Sequence, residues 1–190
     1  MRVFVTGQHG AGTRSAARYF AEKHGLRYVP EFSFKDTPDK FDRMVRPGDT
    51  AIQCPQSAHL CKQLSRHGKV YWTTREHEGL IKTTIATGNP HLAFQMIRNF
   101  RMAYPDDPIW QLIEYDGSTD IHYGYPYYFT LFVKIKDYML QKHLMPYVTV
   151  LYAEKMSYWK TPTHREFSLG QEDRHKQALA YWDELFARLA

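Results

Sequence analysis

The chain has 190 residues, 43% of them hydrophobic and 15% aromatic, with a net charge of +5. That length suits one core, expected as a single domain over residues 1–190, and the aromatic content excludes a disordered chain. The mild basic excess favours acidic ligands, and phosphate or sulfate groups on a small molecule account for it as easily as nucleic acid, which is the less expected partner; no apolar run is long enough to span a membrane.

Arg2 to Thr6 is a short β-branched and aromatic run that stops at Gly7, the pattern of a buried strand. A glycine-rich turn follows, Gly7-Gln8-His9-Gly10-Ala11-Gly12-Thr13. Thr13 to His24 reads as a helix with Ala16, Ala17, Tyr19, Phe20 and Ala21 on its apolar face and Gly25 in the place of a C-terminal cap. Leu26 to Val29 and Thr50 to Gln53 are expected as the next two strands. A helix is predicted over roughly Gln56 to His67, closed by Gly68, then a strand over Lys69 to Thr74 and a helix over Glu76 to Thr84. The Pro-, Gly-, Asp- and Tyr-rich stretch from Gly88 to Tyr128 predicts loops around a helix near His91 to Met102. Phe129 to His143 reads as an amphipathic helix, Tyr147 to Tyr152 as a fifth strand and Gln171 to Leu189 as a closing helix. This alternation predicts βαβ crossovers and a parallel sheet; together with the glycine-rich turn after the first strand, the expectation is an α/β fold of the P-loop type, three layers α/β/α around a central parallel sheet of about five strands.

Cys54 and Cys61 are the two cysteines, in no metal-ligand spacing and too few for a disulfide scaffold. Reduced thiols in a cytoplasmic protein are the expectation, and Met1-Arg2 leads into the first strand without the apolar segment of a signal peptide.

A strand that ends in glycines and opens into a helix presents unpaired N–H groups and the positive end of a helix dipole, which is a phosphate site. Gly7 and Gly12 have the spacing of the P-loop G-x-x-x-x-G-K-[ST], but Thr13-Arg14 stands where Lys-Ser/Thr would follow. An ATP-dependent kinase needs that lysine for the β/γ-phosphates and that hydroxyl for magnesium.

Gly10-Ala11-Gly12-Thr13-Arg14 in this strand–turn–helix setting resembles the 5′-phosphosulfate loop of the P-loop sulfotransferases, which usually reads basic-Ser-Gly-Thr-Thr. Gly12 and Thr13 match; Ala11 stands for the Ser, Arg14 for the second Thr and Gly10 for the basic residue, leaving His9 or Arg14 to supply positive charge. The family also carries a strand that ends in Arg, with a Ser eight residues later, and the two hold the nucleotide's 3′-phosphate. Arg75 after Lys69 to Thr74, with Thr83 eight residues on, is similar. Arg165 and Gly170 resemble in spacing the Arg-Lys-Gly-x-x-Gly loop near the end of many members. The resemblance implies 3′-phosphoadenosine 5′-phosphosulfate as co-substrate, bound by Gly7, His9, Gly10, Ala11, Gly12, Thr13, Arg14, Arg75, Thr83, Arg165 and Gly170, with no metal.

Sulfuryl transfer needs a base for the acceptor's hydroxyl or amine and positive charge on the leaving phosphate. Glu31, just past the second strand and beside the first turn, is the candidate base, in line with a Glu at about this distance in the branch that includes the protein-tyrosine enzymes. His77, two residues beyond Arg75, is the second candidate, ahead of His122 and His59, and Arg14 is a candidate for charge stabilisation. The aromatic stretch Tyr115 to Tyr128 suits either an acceptor wall or core packing, and Asp116 and Asp120 within it form no metal-ligand constellation. The expected activity is sulfuryl transfer to an unidentified small-molecule, glycan or peptide acceptor. The alternatives are a kinase with a degenerate loop and a P-loop module that binds without turnover.

Overall fold

Parallel strands are covered on both faces, so they select short, nearly continuous apolar runs. In the computed structural model, which describes residues 1–31, 48–87, 90–115, 125–159 and 171–189, five such runs become strands. These are β1 (Arg2–Gly7), β2 (Arg27–Val29), β3 (Thr50–Gln53), β4 (Lys69–Thr74) and β5 (Thr149–Tyr152). They form one parallel sheet in the order β2-β3-β1-β4-β5, with Val5 opposite Gln53 on one side and Tyr71 on the other. The fold is α/β around a five-stranded parallel sheet.

Contacts divide the chain into two compact units, Met1–Glu76 with Met139–Pro162, and His77–Tyr138 with Thr163–Ala190. The sheet belongs to the first. There, α1 (Thr13–His24) joins β1 to β2, and a 3-10 helix (Pro55–Leu60) with the short α2 (Cys61–Leu64) joins β3 to β4. These crossovers run in opposite lateral directions along the sheet. Right-handedness therefore puts them on opposite faces, giving three layers. On the α1 face Val3, Val5 and Ala51 pack against Ala16, Ala17, Phe20 and Ala21, and the Phe20 ring stacks on Tyr71 with centroids 4.2 Å apart. Helix α1 ends at Gly25 (φ 62), where the N–H of Leu26 returns to the carbonyl of Ala21 at 2.8 Å.

The connection expected as one helix over Gln56 to His67 is instead split, because Ser57 adopts φ −103, ψ 20 inside the 3-10 segment. Cys54 and Cys61 are both buried and form no disulfide, and burial pushes the Cys54 thiol far up from its ordinary value.

The second unit holds helices α3 (His77–Thr87), α4 (Pro90–Ala103), α5 (Ile109–Tyr115), α6 (Tyr125–Met139, its last residue in the first unit) and α7 (Gln171–Ala187). Two of these correct the loop reading of residues 88 to 128. Helix α5 starts where Asp107 accepts from the N–H of Ile109 at 3.0 Å, an N-cap followed by Pro108. Helix α6 takes in Tyr125 to Tyr128 and then widens into a π turn over Leu140–Leu144; a 3-10 turn over Met145–Tyr147 follows and takes Tyr147 out of the expected strand, which runs Thr149–Tyr152. No helix among the described residues is long and apolar enough to cross a membrane.

Candidate functional site

Strand β1 hands the chain through α1 towards β2, while its neighbour β4 leads on towards β5 at the other edge. Adjacent strands whose connections leave in opposite directions open a crevice beyond their carboxyl ends, the usual ligand position in a doubly wound sheet. The glycine turn and Arg75 both stand there.

Gly7, Gly10 and Gly12 have φ of 128, 78 and 75, so all three occupy the left-handed half of backbone space. Two of them also make close approaches. A Cβ on Gly7 would lie 2.2 Å from the carbonyl oxygen of Thr73, and one on Gly12 would lie 2.8 Å from Cζ3 of Trp159. The first contact lets the N–H of Gln8 reach the Thr73 carbonyl at 2.8 Å, so β1 and β4 stay paired up to the turn. Gly12 begins α1 with no side-chain cap. The backbone N–H groups of Gly10, Gly12, Thr13 and Arg14 have no hydrogen-bond partner among the described residues. Four unsatisfied donors at the positive end of a helix form an anion seat.

Arg75 follows β4 and is 5% exposed. Its Nε and Nη2 donate to Oε1 of Glu76 at 3.2 and 2.6 Å, and its guanidinium lies 5.3 Å from the centroid of the Trp159 ring. Glu154, just beyond β5, accepts from the N–H of Glu76 at 2.7 Å, which ties the end of β4 to that segment. Arg75 is thus buried and ion-paired at the end of β4, a strand in the interior of the sheet.

On the other side of the turn, the carboxylate of Glu31 accepts from Arg14 Nη2 at 3.0 Å, and both side chains are exposed. Glu31 has φ 31, the one positive φ outside glycine among the described residues. Backbone strain of this kind costs about 1–3 kcal/mol and gathers at functional sites. Next to it, β3 ends at Gln53, whose Oε1 accepts from the Tyr28 hydroxyl at 2.8 Å. No group of three or more His, Cys, Asp or Glu residues that could hold a metal occurs among the described residues.

His9 and Ala11 lie in the turn, half-buried and buried. Thr83 stands in α3 of the second unit, whereas Arg75 belongs to the first. His77 opens α3, and its Nε2 contacts Oδ2 of Asp137 on α6 within the second unit. That hydrogen bond raises the His77 pKa against the opposing effects of partial burial and Lys134; Asp183 adds to the rise. His59 sits in the 3-10 segment, where burial lowers its pKa to about 4. Arg165, Gly170, His122, Asp116 and Asp120 lie outside the described residues.

Trp159 is the site residue that sequence reasoning missed. It lies 147 positions from Gly12 in the chain, and no motif marks it. The chain matches no protein-family model, no curated protein and no solved structure.

Proposed function

We propose that the chain is a sulfotransferase-type nucleotide-binding domain that takes 3′-phosphoadenosine 5′-phosphosulfate and passes its sulfuryl group to a hydroxyl or amine. The observation that carries this reading is the set of four unpartnered N–H groups at Gly10, Gly12, Thr13 and Arg14, placed at the end of β1 and the start of α1 in a loop without a P-loop lysine. Arg75, at the end of the strand next to β1, supports a second phosphate position.

In this reading the loop N–H groups hold the 5′-phosphate. Glu31 takes the acceptor's proton, the acceptor oxygen or nitrogen bonds to sulfur, and the sulfur–oxygen bond to the 5′-phosphate breaks. The charge that develops on the leaving phosphate falls on the loop donors and the helix dipole. The Arg14–Glu31 pair keeps the base beside the first turn of α1.

Calorimetry tests the reading directly. Adenosine 3′,5′-bisphosphate should bind more tightly than ATP with magnesium, and Arg75→Ala should weaken the bisphosphate by at least tenfold while leaving 5′-AMP within about twofold, because a charge-assisted pair contributes roughly 1.5–3 kcal/mol. A preference for ATP with magnesium would assign the chain to the kinases. Tight bisphosphate binding without turnover would make it a binding module.

A further inference from the structure

Trp159 touches both halves of this site. The Cζ3 and Cε3 edge of its ring faces Gly12, where a Cβ would come within 2.8 and 3.1 Å of it, and its ring carries the Arg75 guanidinium. The turn that presents it is braced twice. The N–H of Trp159 donates to the Met156 carbonyl at 3.0 Å, and the adjacent Tyr158 ring packs on Tyr19 of α1 with centroids 5.0 Å apart. The Arg75 side chain is only 2% exposed, so its orientation is set by protein groups and hardly by water. Glu76 holds one edge of the guanidinium and its carbon stands over the indole ring, an arrangement that a delocalised planar cation favours.

We propose that Trp159 is a positioning residue for the nucleotide site: it orients the Arg75 fork at the end of β4 while seated on the glycine turn at Gly12. An anion arriving in the turn then meets an arginine already in place, and loss of the indole weakens a hold that the ring shares with Glu76. The inference rests on the reading of Arg75 as the 3′-phosphate ligand. It differs from a bare structural role because it concerns one phosphate of the ligand and not the other.

The test compares wild type, Trp159→Leu and Trp159→Phe in the full chain. Each is titrated with adenosine 3′,5′-bisphosphate and with 5′-AMP. Trp159→Leu should weaken the bisphosphate about tenfold and 5′-AMP by less than twofold, and Trp159→Phe, which keeps an aromatic face, should restore most of the loss. Equal losses for both ligands, or none, would overturn the proposal. Acrylamide quenching provides a ligand-free readout, with the Trp159 component obtained by subtracting Trp159→Phe. Arg75→Ala should increase the quenching of that component. If wild type binds neither nucleotide, the nucleotide reading falls, and the Trp159–Arg75 coupling is then decided by the quenching alone: an increase sustains it and no change removes it.

Discussion

Gly12 and Trp159 meet across the site, the glycine's missing Cβ leaving the space that the indole edge fills. Position 12 is thus constrained twice, by φ +75 and by a 2.8 Å approach. Gly12→Ala should cost about 1–3 kcal/mol in urea unfolding. In a Trp159→Ala background the penalty should shrink without vanishing, since only the steric part is relieved. A double-mutant cycle measures the coupling, and additive effects would show that the contact carries none.

Gly7 has a harsher constraint. Its added Cβ would meet backbone atoms of Thr73 at 2.2 and 2.5 Å, and the backbone cannot retreat without breaking the bond from Gln8 to Thr73. Gly7→Ala should therefore cost about 4 kcal/mol or more, in the range reserved for core disruption. Gly25→Ala is the control, with φ +62 but nothing within 4 Å, and it should cost only about 1–2 kcal/mol. Denaturant midpoints of the two variants give the comparison.

Glu31 separates stability from turnover. If it is the base, Glu31→Gln should lower sulfuryl transfer by roughly 10²–10⁴-fold, the usual contribution of general base catalysis. Glu31→Gly should be equally inactive yet unfold no earlier than wild type, because glycine adopts φ 31 without strain and the Arg14 pair it loses is exposed. Turnover assays beside thermal melts of both variants check this. An active Glu31→Gln protein would move the base elsewhere.

His77 and His59 should shape the pH dependence of stability in opposite ways. His77 has a raised pKa, so its bond to Asp137 stabilises the fold fully below about pH 6.5 and loses that contribution as pH rises through the folded value. His59 has a lowered pKa, so the fold loses stability as pH falls from about 6.5 to about 4, where the unfolded chain binds a proton that the folded one refuses. Asp137→Asn should flatten the alkaline decline and leave the acid decline intact. Melting temperatures across this range, with the two imidazoles followed by NMR, are the measurement.

Much of the first unit was legible in the chain. β3 and β4 occur at the predicted limits, and α1 runs from Thr13 to His24 as read, because apolar runs bounded by glycine leave little choice of element. Helix α5 was missed although Asp107-Pro108 before Ile109 is a legible start signal, hidden by a surrounding composition rich in turn formers. The split at Ser57 carried no such signal, since the residue is compatible with either conformation.

For the site, the amino-acid sequence by itself determined the turn. Glycines at positions 10 and 12, between a strand and a helix, turn the chain so that N–H groups at the start of the helix are left unpaired, a local consequence of φ and of helix termini. Tertiary structure alone decided what stands around it. The sheet order sets Arg75 beside β1, the chain's return through β5 seats Trp159 on Gly12, and the backbone at Glu31 turns its carboxylate to Arg14. Those contacts join residues 17 to 147 positions apart, and no local preference encodes a distance in space between them.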